Sequence, residues 1–345
     1  MSFLKNKAVQ WTAVLLLTAG LLYFFFRSVD FGDVLRNLTN IRLPFFILMI
    51  LMIPLHLITR GMRWKYLLQH EKKKTSLYNR AAANSVGFTV SLIFPGRIGE
   101  LIKPLYLARK EKMSKGFVIG TVVVERIFDI FTMCFLLGLF LAAKPLYSSF
   151  FHIDEQISEK LKFWGIFGSV FAITLLLLTL SLYFFKGKTV AVFRWVLRPL
   201  PERFSGKILE LVEEFIHGLK FFHSLGHLLK FTAWSFIVWM GIILYYWVAF
   251  LAYDIRQPYF LLFPFTFMIM VGASIPTPGM VGGFHYFSKL GLTSLYGVDP
   301  NLATSITLVI HSFQVIVTCL IGYVILSREG LSLFQVREIG EESGP

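Results

Sequence analysis

Along this chain, long apolar runs alternate with short basic segments. A run of about twenty apolar residues is the length a helix needs to cross the hydrocarbon of a bilayer. The pattern predicts spanning helices at about 11–26, 44–62, 116–142, 163–185, 231–253 and 301–326. Two further apolar segments, 81–108 and 259–296, are interrupted. The first breaks at Pro95-Gly96 and the second within PTPGMVGG, 276–283. Proline ends a helix and glycine turns without steric cost, so each break predicts a tight reversal. The stretch 186–230 is polar, but within it KILELVEEFIHGLKFF (207–222) repeats apolar residues every three to four positions. That spacing suits a helix lying on a membrane surface.

Composition agrees with an integral membrane protein. Of 345 residues 56% are hydrophobic and 16% charged, and mean hydropathy is +0.67, values that exclude an ordinary soluble domain. The net charge of +14 would suggest nucleic acid in a soluble protein. Here the cations sit in loops between apolar spans, so membrane orientation and anionic headgroups account for them and nucleic acid is not an expected partner. Cys134 and Cys319 fall inside apolar helices and read as small core residues, not a disulfide or metal pair. No metal-ligand cluster, phosphate-binding glycine loop or dinucleotide fingerprint occurs in the sequence, and no cofactor is expected. The first apolar segment lacks a small-residue cleavage site and reads as a retained helix.

Charge sets the expected topology. With both termini, 60–80, 103–115 and 186–230 in the cytoplasm, that side holds 24 of the 34 Lys and Arg, the outer loops seven, and Arg97, Arg126 and Lys289 lie within apolar segments. Both flanks of 81–108 are then cytoplasmic and both flanks of 259–296 are outside. The reading is an all-α, polytopic membrane protein: about six spanning helices and two re-entrant helical hairpins, one from each leaflet, in inverted repeats. A short internal match supports the repeat. ERIFDIFTMC (125–134) and IHSFQVIVTC (310–319) align at one offset, with Arg126 over His311, Asp129 over Gln314 and Cys134 over Cys319. Paired broken helices in inverted repeats point to a transporter's substrate site. The alternative is that 259–275 spans the bilayer and the match is chance among apolar residues.

The candidate chemistry lies beside the breaks. Arg97, Glu100 and Lys103 share one face of the short helix after the first break, and that helix start offers free N–H groups and a positive dipole end. Together these suit a phosphate; the alternative is a structural ion network with Lys103 snorkelling to the interface. Glu125, Arg126 and Asp129 sit about nine residues into the next helix and must face the interior. Arg126 is expected to contact an anionic substrate or Glu100, with Asp129 and Glu125 holding it; a buried structural ion pair is the competing account. Beyond the second break His285 and Lys289 stand at i, i+4, and His311 and Gln314 match the polar positions of 125–134. His285 could serve as a proton partner. Arg60, Arg63 and Trp64 close the second predicted helix and read as interface anchors.

Four motifs taken together, RGMRW (60–64), FPGRIGELIKPLYL (94–107), ERIFD (125–129) and PTPGMVGGFH (276–285), resemble the lysylphosphatidylglycerol synthase transmembrane family of flippase-like proteins. The resemblance covers nearly the whole chain as a single membrane domain, 1–345. It implies movement of a lipid across the bilayer; in the bifunctional synthases of that family a separate soluble domain makes the aminoacylated lipid. No such domain accompanies this sequence, so aminoacyl transfer and enzymatic activity are not expected. Arg97, Glu100, Glu125, Arg126 and Asp129 match the family pattern. The second hairpin departs from it: Met280 follows Gly279, and His285 stands where the family commonly has an acidic residue. That loss favours a plain anionic phospholipid or a polyprenyl-phosphate lipid over a cationic headgroup. The expected substrate-binding set is therefore Arg97, Glu100, Lys103, Glu125, Arg126, Asp129, His285, Lys289, His311 and Gln314. The expected setting is a cell inner or plasma membrane, with a homo-oligomer as a possible assembly. An intramembrane transferase acting on a lipid phosphate and an accessory subunit of an envelope-synthesis complex are the alternatives.

Overall fold

A computed structural model of the chain describes residues 19–26, 30–94, 97–151, 155–198 and 225–332, with single positions 16, 206, 209, 213, 216 and 335. Pro95-Gly96, residues 11–15, 17 and 18 of the first predicted helix and nearly all of the amphipathic piece 207–222 lie outside the described residues. Among the described residues the chain is helical and has no strand.

The helices are α1 (Phe31–Thr39), α2 (Leu43–Leu68), α3 (Leu77–Ile93), α4 (Gly99–Glu111), α5 (Lys115–Ala142), α6 (Lys144–Tyr147), α7 (Glu155–Phe184), α8 (Lys186–Val196), α9 (Leu225–Ala252), α10 (Phe263–Ser274), α11 (Gly283–Tyr296) and α12 (Pro300–Arg328). Their starts are written in short polar residues. Asp30, Ser76, Ser114 and Asp299 each accept a hydrogen bond from a first-turn amide, capping α1, α3, α5 and α12. Gly297, in the left-handed region at φ 64, ends α11. Among the described residues three helices are long and apolar enough to cross a membrane: α2, α9 and α12. α5, at 28 residues, interrupts its apolar run with Glu125, Arg126 and Asp129.

The two broken segments fold as antiparallel helix pairs. In the first, Gly87 of α3 lies against Lys103 of α4, and Ser91 against Gly99, so the arms run oppositely. The outer ends are tied where Glu111 accepts from Lys72 Nζ at 2.6 Å, the Ser76 amide at 2.9 Å and Asn79 Nδ2 at 2.7 Å. In the second, Gly272 of α10 lies against Gly283 and Phe287 of α11, and Gly291 against Phe265. Tyr296 donates to the Leu261 carbonyl at 2.7 Å and closes its outer end. The two tips touch: Arg97 Nη2 donates to the Ala273 carbonyl at 2.8 Å, and a side chain at Gly279 would meet the Leu92 carbonyl at 3.1 Å. Gly279, at φ 59, takes a conformation that few other residues adopt.

Several boundaries differ from the sequence pattern. α2 continues to Leu68, past the expected end at 62, and α9 already includes Leu225–Lys230, ahead of the expected start at 231. A helix, α1, occupies the expected outer loop after the first span, and α8 fills the start of the polar stretch. α1 docks on α12, with the Asp30 amide donating to Asn301 Oδ1 at 2.9 Å.

Two apolar cores hold the molecule. One gathers Trp64, Leu67, Val86, Ile102, Phe117 and Phe231 around the first helix pair. The other gathers Met49, Leu137, Ile243, Phe250, Phe265 and Ile306 around the second. α2, α5 and α9 contribute to both, and each carries polar residues where one core gives way to the other.

Candidate functional site

That seam is where the charges meet. Arg63 of α2 is fully buried; its Nη1 donates to Asp129 Oδ1 at 2.5 Å and its Nη2 to Glu125 Oε1 at 3.1 Å. The second oxygen of Glu125 accepts from Lys103 of α4, whose ammonium lies 4.3 Å from the Trp64 ring centroid. Asp129 Oδ1 also accepts from Trp239 of α9 at 3.0 Å. Its Oδ2 faces Arg126 Nη2 at 3.2 Å and Arg60 Nη1 at 3.8 Å. Arg126 in turn pairs with Glu100 of α4 at 3.8 Å. Arg60 is oriented by its own helix, its Nε donating to His56 Nε2 at 2.8 Å.

One network thus joins four cations, Arg60, Arg63, Lys103 and Arg126, to three carboxylates, Glu100, Glu125 and Asp129. Arg97, at the hairpin tip and electrostatically coupled to Glu100, adds a fifth cation. Charges taken out of water persist only when paired and hydrogen-bonded. The Arg63–Glu125 pair meets that condition: both side chains have 0% exposure. The Arg126–Glu100 pair does not share their seclusion, with side chains 36% and 29% exposed. Arg60 Nη1, Arg63 Nε, Arg126 Nε and Asp129 Oδ2 lack a hydrogen-bond partner. By exposure the network is secluded at Arg63 and open to its surroundings at Arg126, and its cations outnumber its carboxylates.

The sequence expectations sort against this geometry. Glu100, Lys103, Glu125, Arg126 and Asp129 come together, and Arg97 joins them at the tip. Glu125 does not hold Arg126, as expected; it pairs with Arg63 and Lys103. Lys103 does not snorkel: its side chain is only 5% exposed and its charge is met inside the fold. Arg60 and Arg63 are not interface anchors. Because α2 runs on beyond them, both turn inward, and Arg63 becomes the hub. The signal was present in RGMRW, where two arginines three residues apart share a helix face. His56, Trp239 and Ser235, whose Oγ lies 3.5 Å from Arg63 Nη1, are scattered polar positions in apolar runs and gave no comparable pattern.

His285, Lys289 and His311 form a separate group on α11 and α12. The His285 and His311 rings meet edge to face, centroids 4.6 Å apart. Phe284 stacks on His311, and Phe25 meets His285 edge to face. Lys289 Nζ donates to the Phe25 carbonyl at 2.7 Å. Gln314 lies one turn beyond His311, its Oε1 buried without a partner. Both cysteines are free, Cys134 buried and Cys319 half-buried. No group of three or more metal-ligating side chains occurs among the described residues.

Comparison with known proteins places this geometry in a family. The model of the lysylphosphatidylglycerol synthase TM region matches residues 10–322. A UPF0104 membrane protein of Methanocaldococcus jannaschii is 22% identical over 361 residues, an alignment covering 99% of each chain.

Proposed function

The chain belongs to the lysylphosphatidylglycerol synthase transmembrane family, and on that premise we propose that it moves an anionic lipid between leaflets without altering it. The substrate is a phospholipid or a polyprenyl-phosphate-linked lipid. The observation that carries this reading is the open end of the ion network, where Arg126, in a network whose cations outnumber its carboxylates, lies beside the meeting point of two helix hairpins. A phosphate held there keeps its acyl tails in the bilayer while its charge is met by protein.

The arms of both hairpins support a re-entrant placement. At 1.5 Å per residue α3 and α4 are about 26 and 20 Å long and α10 and α11 about 18 and 21 Å, each short of the ~30 Å hydrocarbon layer. Broken backbone at that depth is tolerated where protein or a wet cavity satisfies it. We read α2 to α5 and α9 to α12 as inverted repeats, with the site between their hairpins and alternating access arising as one moves against the other. Transport rather than transfer chemistry is favoured because all three carboxylates of the site are engaged by cations, which leaves no free base or nucleophile among them.

The test is reconstitution of purified protein in liposomes carrying fluorescent phosphatidylglycerol, with quencher added outside. Wild type is expected to expose inner-leaflet label and Arg126→Gln to lose most of that activity, with the lipid recovered intact. A chemically modified lipid would establish an enzyme instead, and quenching no faster than in protein-free vesicles would refute transport.

A further inference from the structure

The two halves carry matching polar positions with different chemistry. Glu100 and Arg126 form an ion pair in the first half. His285 and His311 stand 185 residues further along from each of them (285 against 100, 311 against 126), and they too are in contact. Where one half presents charge, the other presents a pair of imidazoles.

Their hydrogen bonds fix what the imidazoles offer. The Gly282 amide donates to His285 Nδ1 at 3.4 Å, so in the neutral ring the proton sits on Nε2. His311 bonds the backbone of Gly279, while its buried Nε2 has no partner. Thr277 Oγ1, two residues before Gly279, and Gln314 Oε1, one turn beyond His311, are likewise buried and unpartnered. His311 and Thr277 are only 4% and 2% exposed. An orphaned buried polar group costs about 1–3 kcal/mol. Three such groups, one on the broken stretch and two on the helix whose His311 bonds that stretch, describe a place prepared for a polar ligand better than a packed core. This place abuts the ion network through the hairpin tips, where Arg97 bonds Ala273 and Gly279 lies against Leu92.

A set of neutral donors and acceptors matches a group that both donates and accepts, which is a hydroxyl. An ammonium is disfavoured by Lys289, one turn beyond His285 on the same helix, and by the absence of a carboxylate among these four residues. Building on the lipid-transport reading, we propose that His285 and His311, with Thr277 and Gln314, form a subsite for a headgroup hydroxyl, while the ion network holds the phosphate. The substrate is then a phosphate lipid whose headgroup is a polyol or a sugar.

Phosphatidylglycerol and phosphatidylethanol have the same charge and differ in headgroup hydroxyls, so they are the probes. Equal amounts are offered to the full chain in detergent, and the bound lipids are read by native mass spectrometry. Wild type is expected to retain phosphatidylglycerol roughly tenfold over phosphatidylethanol, the size of one net hydrogen bond. His311→Leu and His285→Phe are each expected to bring that ratio toward one. Equal retention by wild type overturns the subsite, as does an undiminished ratio in both variants. Because binding is read, discrimination without transbilayer movement supports the subsite and refutes transport. Movement of both lipids at equal rates with equal retention does the reverse.

Discussion

Arg63 and Arg126 belong to one ion network and are expected to fail differently when removed. Arg63 is the only cation bonded to both Glu125 and Asp129 among the described residues, and none of it reaches solvent. Arg63→Ala strands charge in the core and should cost about 3–5 kcal/mol, read as a large drop in the thermal midpoint of the solubilised protein. Arg126→Ala removes a half-exposed partner whose carboxylates keep other contacts or solvent. It should shift the midpoint far less while abolishing retention of bound anionic lipid. Equal destabilisation by both would mean that the network is structural throughout. The sequence made Arg126 legible because a cation deep in an apolar helix is too costly to persist without a partner or a site inside the fold. It hid Arg63 because the lysines that follow, Lys65 and Lys72 to Lys74, make the end of α2 look like an interface. Whether the two arginines of RGMRW turn inward depends on where the helix ends, and the apolar run stops before the helix does.

At the scale of elements, each hairpin depends on backbone approach between its arms. A Cβ at Gly87 would meet Lys103 Cβ at 2.6 Å and the Gly99 carbonyl at 2.9 Å; one at Gly272 would meet the Gly283 carbonyl at 2.5 Å. Neither backbone can yield without parting the arms. Gly87→Ala and Gly272→Ala should therefore each destabilise by about 1–3 kcal/mol, the usual cost of overpacking. Gly241→Ala, in α9 with nothing within 4 Å, should be neutral or slightly stabilising through helix propensity. Thermal unfolding of the three variants separates the cases, and a Gly87→Ala protein as stable as Gly241→Ala would mean that the arms are not in contact. The breaks themselves were legible, since proline with glycine in an apolar run has one common meaning. The arm contacts were not, because a glycine inside an apolar run shows no partner until the chain has folded.

At the scale of the molecule, the two sets of four helices correspond throughout. α3, α4 and α5 begin at 77, 99 and 115; α10, α11 and α12 begin at 263, 283 and 300, which is 184 to 186 residues later. Gly87 and Gly272, 185 residues apart, occupy the same place in the two hairpins. The corresponding helices α2 and α9 run oppositely: the Arg42 amide at the start of one donates to the Ala252 carbonyl at the end of the other, at 2.8 Å. Arg63 of α2 meanwhile packs over Phe231 near the start of α9. Ten residues of similarity hinted at this order, and the helix starts extend it to both halves.

In the proposed re-entrant arrangement, antiparallel counterparts put the flanks of the two hairpins on opposite sides of a membrane, the more basic pair in the cytoplasm. Moving buried Arg60, Arg63 and Lys103 out of the cytoplasmic count leaves 21 basic residues there (24 less three) against seven outside, so the bias survives the correction. Single cysteines in a background lacking Cys134 and Cys319 can test this. Lys74 and Lys112, exposed at the two ends of the first hairpin, should react with an impermeant maleimide only after cells are permeabilised. Arg256 and Pro300, exposed beside the second, should react in intact cells. The decisive comparison is within a hairpin. If Lys74 and Lys112 label from opposite sides, α3 and α4 together cross the bilayer, Arg97 has no reason to meet Ala273 at mid-depth, and a lipid path between the tips loses its geometry.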